Sequence, residues 1–182
     1  MEEKIISLIK KYGVIVTLFI IFASIILFIF NYINIDLLLL KTITTGGDTA
    51  SHYYPAQYLR DYLLANGQII GLSPGWYGGF PIFQFYFPLP FVIMVILSYI
   101  IPLQIAFKFI TILGVLALPF CAYFLFRWLD FSKEVSGIAA TFTLPFLFMQ
   151  ANSMWGGNIP STFAGEFTYS IGISLSLLYL GL

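Results

Sequence analysis

The chain alternates long apolar runs with polar, Gly- and Pro-rich stretches, and the lengths of the runs predict the elements. Residues 13–33 carry no charge and are mostly Val, Ile, Leu and Phe, a length that crosses one bilayer as a helix. From Lys41 to Phe87 the pattern turns to Gly, Pro, Tyr and scattered polar groups, which predicts a large external loop. Inside it, residues 52–66 have helical spacing, with Tyr54, Tyr58 and Tyr62 recurring every four residues and Arg60 and Asp61 off that stripe. That pattern suits a helix lying at the membrane interface. Residues 67–90, rich in Gly and Pro, predict an irregular, self-packed loop.

The run from Phe87 to Pro102 is about sixteen residues long and opens on Pro88 and Pro90. It is marginal as a crossing and reads as a surface or re-entrant helix, so that the first external loop extends over 41–102. Residues 103–128 are long enough to span and lead into Arg127, Asp130, Lys133 and Glu134. A third span is expected over 135–150, a second external loop over 151–166, and the start of a fourth span over 167–182. Ser170, Gly172, Ser174 and Ser176 offer small residues for close helix packing there. Because the last run is still apolar at Leu182, partners are expected in further helices of a longer chain or in other subunits. No internal repeat is evident.

Composition settles the solvent. Apolar residues make up 60% and charged residues 9% of the 182, against about half and a quarter in ordinary soluble domains. So few charges cannot cover a water-exposed surface. The predicted fold class is therefore all-α, a polytopic transmembrane helical bundle in a cell membrane. A formal net charge of zero gives no footprint for nucleic acid. Cys121 is the single cysteine, so no disulfide forms within the chain, and its apolar neighbours make it a small buried hydrophobe. Lys4, Lys10 and Lys11 precede the first span, whose apolar core is too long for a cleaved signal; it reads as a retained anchor with a cytoplasmic amino terminus. If residues 87–102 do not cross, Arg127 and Lys133 join those lysines inside. The basic residues then divide five inside to three outside, which the positive-inside bias favours over an even split. Lys108 would lie near the outer end of its helix and snorkel to the headgroups.

Two places carry candidate chemistry. The first is Gly46-Gly47-Asp48-Thr49-Ala50-Ser51-His52, directly after the first span. Asp48 and His52 are four residues apart, so a helix starting here puts a carboxylate and an imidazole on one face, where they can share a proton or a metal. The plain alternative makes Asp48 the N-cap of a helix over 49–66. The second is Glu166, the one acidic residue after Glu134. A carboxylate at the mouth of an apolar helix needs water, a cation or a partner, or else simply favours the helix amino terminus. Trp76, Tyr77, Phe80, Phe83, Phe85 and Tyr86 can line a site for a sugar or a lipid tail, or form an interfacial aromatic belt. Phosphate-binding glycine loops, Cys/His metal clusters and a Gly-x-Ser-x-Gly elbow are all missing from the sequence.

Three motifs, Gly46-Gly47-Asp48-Thr49-Ala50-Ser51-His52, Trp76-Tyr77-Gly78-Gly79-Phe80-Pro81 and Trp155-Gly156-Gly157-Asn158-Ile159-Pro160-Ser161, resemble the prokaryotic membrane proteins labelled 6-pyruvoyl-tetrahydropterin synthase-related. The arrangement as a whole looks like the amino-terminal part of C-class (GT-C) glycosyltransferases, which take a sugar from a polyprenyl-phosphate carrier. Pterin chemistry does not follow, since nothing here resembles the zinc histidines of the soluble synthase. The glycosyltransferase resemblance implies Asp48 in the catalytic position of the first external loop and Glu166 at the position, though not in the motif, of a second acidic group; His52, one turn from Asp48, is the third catalytic candidate. The resemblance also implies a lipid-linked sugar donor as partner within the bilayer, for which Trp76, Tyr77, Tyr86, Trp155 and Asn158 are the candidate substrate contacts. The paired acidic motif of metal-using members is absent, so the cofactor is undetermined; a divalent cation, Mg2+ or Mn2+, at Asp48 and Glu166 is the candidate. A fold shared by many functions does not transmit its substrate. The competing class is a non-catalytic transporter, flippase or envelope-assembly scaffold, against which the near-absence of ionisable groups inside the spans argues.

Overall fold

The computed structural model describes residues 2–43, 46–75, 77–151 and 153–182, with side chains from Tyr12 onward. Among the described residues the regular elements are helices and one small hairpin. The first helix, α1 (Glu2–Tyr32), contains the uncharged run and offers a candidate span over Tyr12–Tyr32. A single turn, α2 (Ile35–Leu39), follows; the Asn34 side chain caps it by accepting from the Asp36 N–H at 2.9 Å. Helix α3 (Thr49–Tyr58) continues through a π turn (Leu59–Leu63) and a 3-10 turn (Leu64–Asn66), ending at Gly67 with φ +67. Strands β1 (Gly71–Ser73) and β2 (Phe80–Ile82) pair antiparallel with Leu72 opposite Pro81. The stretch read as irregular thus holds a hairpin. Its strands are too short to show alternation, and Pro81, which cannot donate to a ladder, hides the second one.

Helix α4 (Leu89–Ser98) starts with Pro90 in its first turn, where the missing N–H costs nothing. Its ten residues extend about 15 Å, half of a hydrocarbon core. It doubles back onto the first turns of α5 (Leu103–Trp128), the second candidate span. The expected third span is broken: α6 (Lys133–Thr141) and α7 (Thr143–Leu147) are separated at Phe142. Together they still run alongside α1. Gly137 meets Leu18, and the Phe148 ring lies edge-on to Phe28 and Tyr32, at 4.9 and 5.3 Å.

The second half of the expected 151–166 loop is helical instead. The Asn158 side chain accepts from the Ser161 N–H and starts α8 (Ile159–Ser161), with Pro160 in its first turn. A π turn (Thr162–Glu166) and then α9 (Phe167–Gly181) follow, so the third candidate span covers Ile159–Gly181. Gly and Pro at 160 and 165 suggested a loop because their roles at a helix start and at a kink are invisible without the fold.

Contacts between rings and glycines fix which helix ends meet. Phe22 stacks on Phe120 at 4.6 Å, so α1 runs against α5. Phe107 meets Phe167 at 5.9 Å, and at the far end Gly181 approaches Trp128, so α5 and α9 run in the same direction. Midway, Gly114 has no room for a Cβ, which would lie 2.5 Å from the Ile171 nitrogen, and the Ser174 hydroxyl donates to the Gly114 carbonyl at 2.9 Å. This close seam uses the small residues the sequence offered. The carboxyl end of α1 and the amino ends of α5 and α9 therefore gather at one end of the bundle.

At that end Lys108 departs from the snorkelling expectation. It is 2% exposed, and its ammonium donates to the carbonyls of Leu37 at 2.7 Å and Leu40 at 2.8 Å and to Thr42 Oγ1 at 3.1 Å. The carbonyls at the end of α2 are within direct reach, and the dipole of that turn also favours a cation. All three N–H donors are satisfied. The residue ties the connector between α1 and α3 to the second span.

Candidate functional site

The segment after that connector docks onto the start of α9. The Asp48 N–H donates to the Ala164 carbonyl at 2.8 Å, and the Thr49 hydroxyl to the Phe163 carbonyl at 2.6 Å. Two glycines permit the approach. Gly47 has φ +48, and a Cβ there would fall onto the Ala164 carbonyl; Gly165 has φ +124, and its Cβ would lie 3.1 Å from that of Asp48. Glu166 is the next residue, so Asp48 and Glu166 come from opposite ends of the sequence to one junction.

Neither acid is occupied by its helix. Asp48 stands at the N-cap position of α3 and Glu166 at that of α9, yet neither side chain makes a capping hydrogen bond, and both are exposed. At the start of α3 the backbone satisfies one first-turn donor instead: the Thr49 N–H donates to the Gly46 carbonyl at 3.0 Å, while the Asp48 carbonyl accepts the first helical bond from the His52 N–H at 3.2 Å and a bond from the Ser51 hydroxyl at 2.7 Å. The capping reading therefore accounts for the position of each acid and leaves its carboxylate uncommitted.

His52, one turn on, points its ring into an aromatic group. It stacks on Tyr86 at 5.5 Å and meets Phe167 edge-on at 5.5 Å, with Phe91 at 6.4 Å. Burial lowers its pKa, and the nearby Asp48 charge opposes that shift in part. The imidazole is thus neutral at neutral pH. The Tyr86 hydroxyl lies 3.3 Å from Thr168 Oγ1. Burial raises the Tyr86 pKa, the Thr168 hydrogen bond opposes this, and the charges of Glu166 and Asp48 add to the rise. Tyr86 therefore stays a phenol and senses both carboxylates.

The remaining sequence candidates stand apart from this group. Tyr77 is 98% exposed and Trp155 75% exposed, and neither makes a ring or hydrogen-bond contact with His52 or Tyr86. Trp76 lies outside the described residues. Asn158 is 1% exposed; its amide donates to the Met149 carbonyl at 3.0 Å while its oxygen caps α8, so both ends of the side chain are engaged in holding the 149–162 turn. Among the described residues no three His, Cys, Asp or Glu side chains converge as a metal site, so the carboxylates offer a cation no three-ligand cage. Phe91, Phe167 and Thr168 were not signalled by the sequence: each sits in an apolar helical run that reads as core.

A family model for a membrane protein, described as a 6-pyruvoyl-tetrahydropterin synthase related domain, matches residues 83–182. The chain belongs to that family. No curated protein and no solved structure matches it. The family domain contributes Tyr86, Glu166, Phe167 and Thr168 to the group just described, whereas Asp48 and His52 precede its boundary. The junction at Ala164 thus joins the family domain to the segment before it.

Proposed function

We propose that this membrane protein transfers a sugar from a polyprenyl-phosphate-linked donor to an acceptor on the extracytoplasmic side, with Asp48 as general base. The observation that carries the reading is the junction of residues 46–49 with residues 163–165, where Asp48 and Glu166, both exposed and both acting on Tyr86, belong to one end of the bundle and Asp48 also acts on His52. A lipid-linked donor keeps its phosphate at headgroup level, where such an end can meet the sugar carbon without leaving the interface.

In this mechanism the acceptor hydroxyl oxygen bonds to the anomeric carbon as the bond from that carbon to the phosphate oxygen breaks. The hydroxyl proton passes to the Asp48 carboxylate, and polyprenyl phosphate departs with the electron pair. Glu166 orients the acceptor across the junction, and His52, held by Tyr86 and Phe167, supplies a neutral polar group. In the full-length protein, Asp48→Asn is expected to lower sugar transfer from a polyprenyl-phosphate donor by about 10²- to 10⁴-fold, with Glu166→Gln reducing it less. Unchanged turnover in Asp48→Asn removes the catalytic role. The protein would then use the acids for binding alone, the scaffold or transporter reading.

A further inference from the structure

Beside the acid junction, His52, Pro55, Phe80, Ile82, Phe83 and Tyr86 line a pocket of about 120 Å³. We propose that this pocket receives an acylamino substituent, of acetamido size, carried by the ligand that the acid pair handles. The ligand is a sugar under the reading above, and to that extent the inference rests on it.

Size sets the first limit. An apolar cavity of about 150 Å³ accommodates benzene, so this smaller one takes roughly four or five heavy atoms, neither a sugar ring nor a length of lipid chain. An acetamido group has four. Chemistry sets the second limit. Ile82, Phe83 and Pro55 are buried apolar side chains, and the Tyr86 hydroxyl is turned to Thr168. A bare ring hydroxyl carries no apolar atoms to cover these walls. His52 differs. Its ring touches only aromatic faces and edges, and among the described residues neither ring nitrogen has a hydrogen-bond partner. A neutral imidazole presents one donor and one acceptor. An amide presents the complementary pair and carries a methyl for the apolar walls. A single isoprene unit would also fit by size, but it would leave both imidazole nitrogens unpaired.

Fluorine NMR on the full-length protein in lipid nanodiscs, with N-trifluoroacetylglucosamine as probe, tests this directly. The probe resonance is expected to broaden, and N-acetylglucosamine to displace it at a concentration at least about tenfold below that needed for glucose. Ile82→Trp, which fills the pocket, should abolish the broadening. Should that variant not fold, Phe80→Ala widens the pocket and should shift preference toward an N-butanoyl competitor. The readout is binding and not turnover, so the outcome stands whether or not sugar transfer is found. Equal displacement by glucose, displacement by a short prenol instead, or no broadening in the wild type would each overturn the proposal.

Discussion

Replacing Lys108 by Met isolates what a buried cation does at the end of the second span. The ammonium makes three hydrogen bonds, to Leu37, Leu40 and Thr42, over 2.7–3.1 Å. Charge-assisted bonds are worth about 1.5–3 kcal/mol each. Two effects reduce the net loss. Methionine also removes the several kcal/mol of keeping an ion from water, and Leu37 and Leu40 lie on an exposed connector, so their carbonyls regain water once it lifts. The remaining local destabilisation is about 2–4 kcal/mol. Lys41 lies in that connector and makes trypsin a local probe. Where opening is fast, cleavage follows the open population, so scission after Lys41 in detergent-solubilised protein should rise roughly 30- to 700-fold. Scission after Arg127 and Lys133, at the opposite end of α5, should not change. Equal acceleration at all three sites, or none at Lys41, would show that the lysine does not fasten the connector.

Other expectations follow from the same contacts. Gly114→Ala, whose Cβ would press on the Ile171 nitrogen, should cost about 1–3 kcal/mol in unfolding from mixed micelles; an unchanged midpoint would refute close packing of α5 on α9. The depressed His52 pKa makes the folded state bind fewer protons than the unfolded one. Stability should therefore be constant above the ordinary histidine value of 6.5 and fall as pH drops below it, and thermal scans of His52→Phe should lose that slope. Asn158→Ala removes the α8 cap and the bond to Met149 and should destabilise by about 1–3 kcal/mol, whereas Trp155→Ala, at an exposed surface position, should change stability by less than about 0.5 kcal/mol.

What could be read before folding was what length and charge control. The first two spans follow from uninterrupted apolar runs, and α4 was recognisably short because two prolines delimit it. The helix from Thr49 to Asn66 was visible in the tyrosine period; the Tyr58 ring does stack between Tyr54 and Tyr62, and its hydroxyl bonds the Leu72 carbonyl. Position 48 stands out in the sequence, but only the structure separates its carboxylate from a cap, because the side chain makes no capping hydrogen bond. The break at Phe142 escaped because Thr143 and Pro145 sit in a run whose hydrophobicity is the same with or without a kink. Lys108 escaped for a different reason: two of its three acceptors are backbone carbonyls some seventy residues away, and carbonyls leave no mark in a pattern of side chains. The junction at Ala164 is hidden in the same way.

That junction has a consequence for biogenesis. The hydroxyl of Thr49 and its acceptor at Phe163 are separated by 114 positions, so ribosomes working at about 5–20 residues per second complete the second half roughly 6–23 s after the first has emerged. Until then the Asp48 N–H and the Thr49 hydroxyl lack the carbonyls that receive them in the folded protein, so this junction closes only after residues 163–165 have been made.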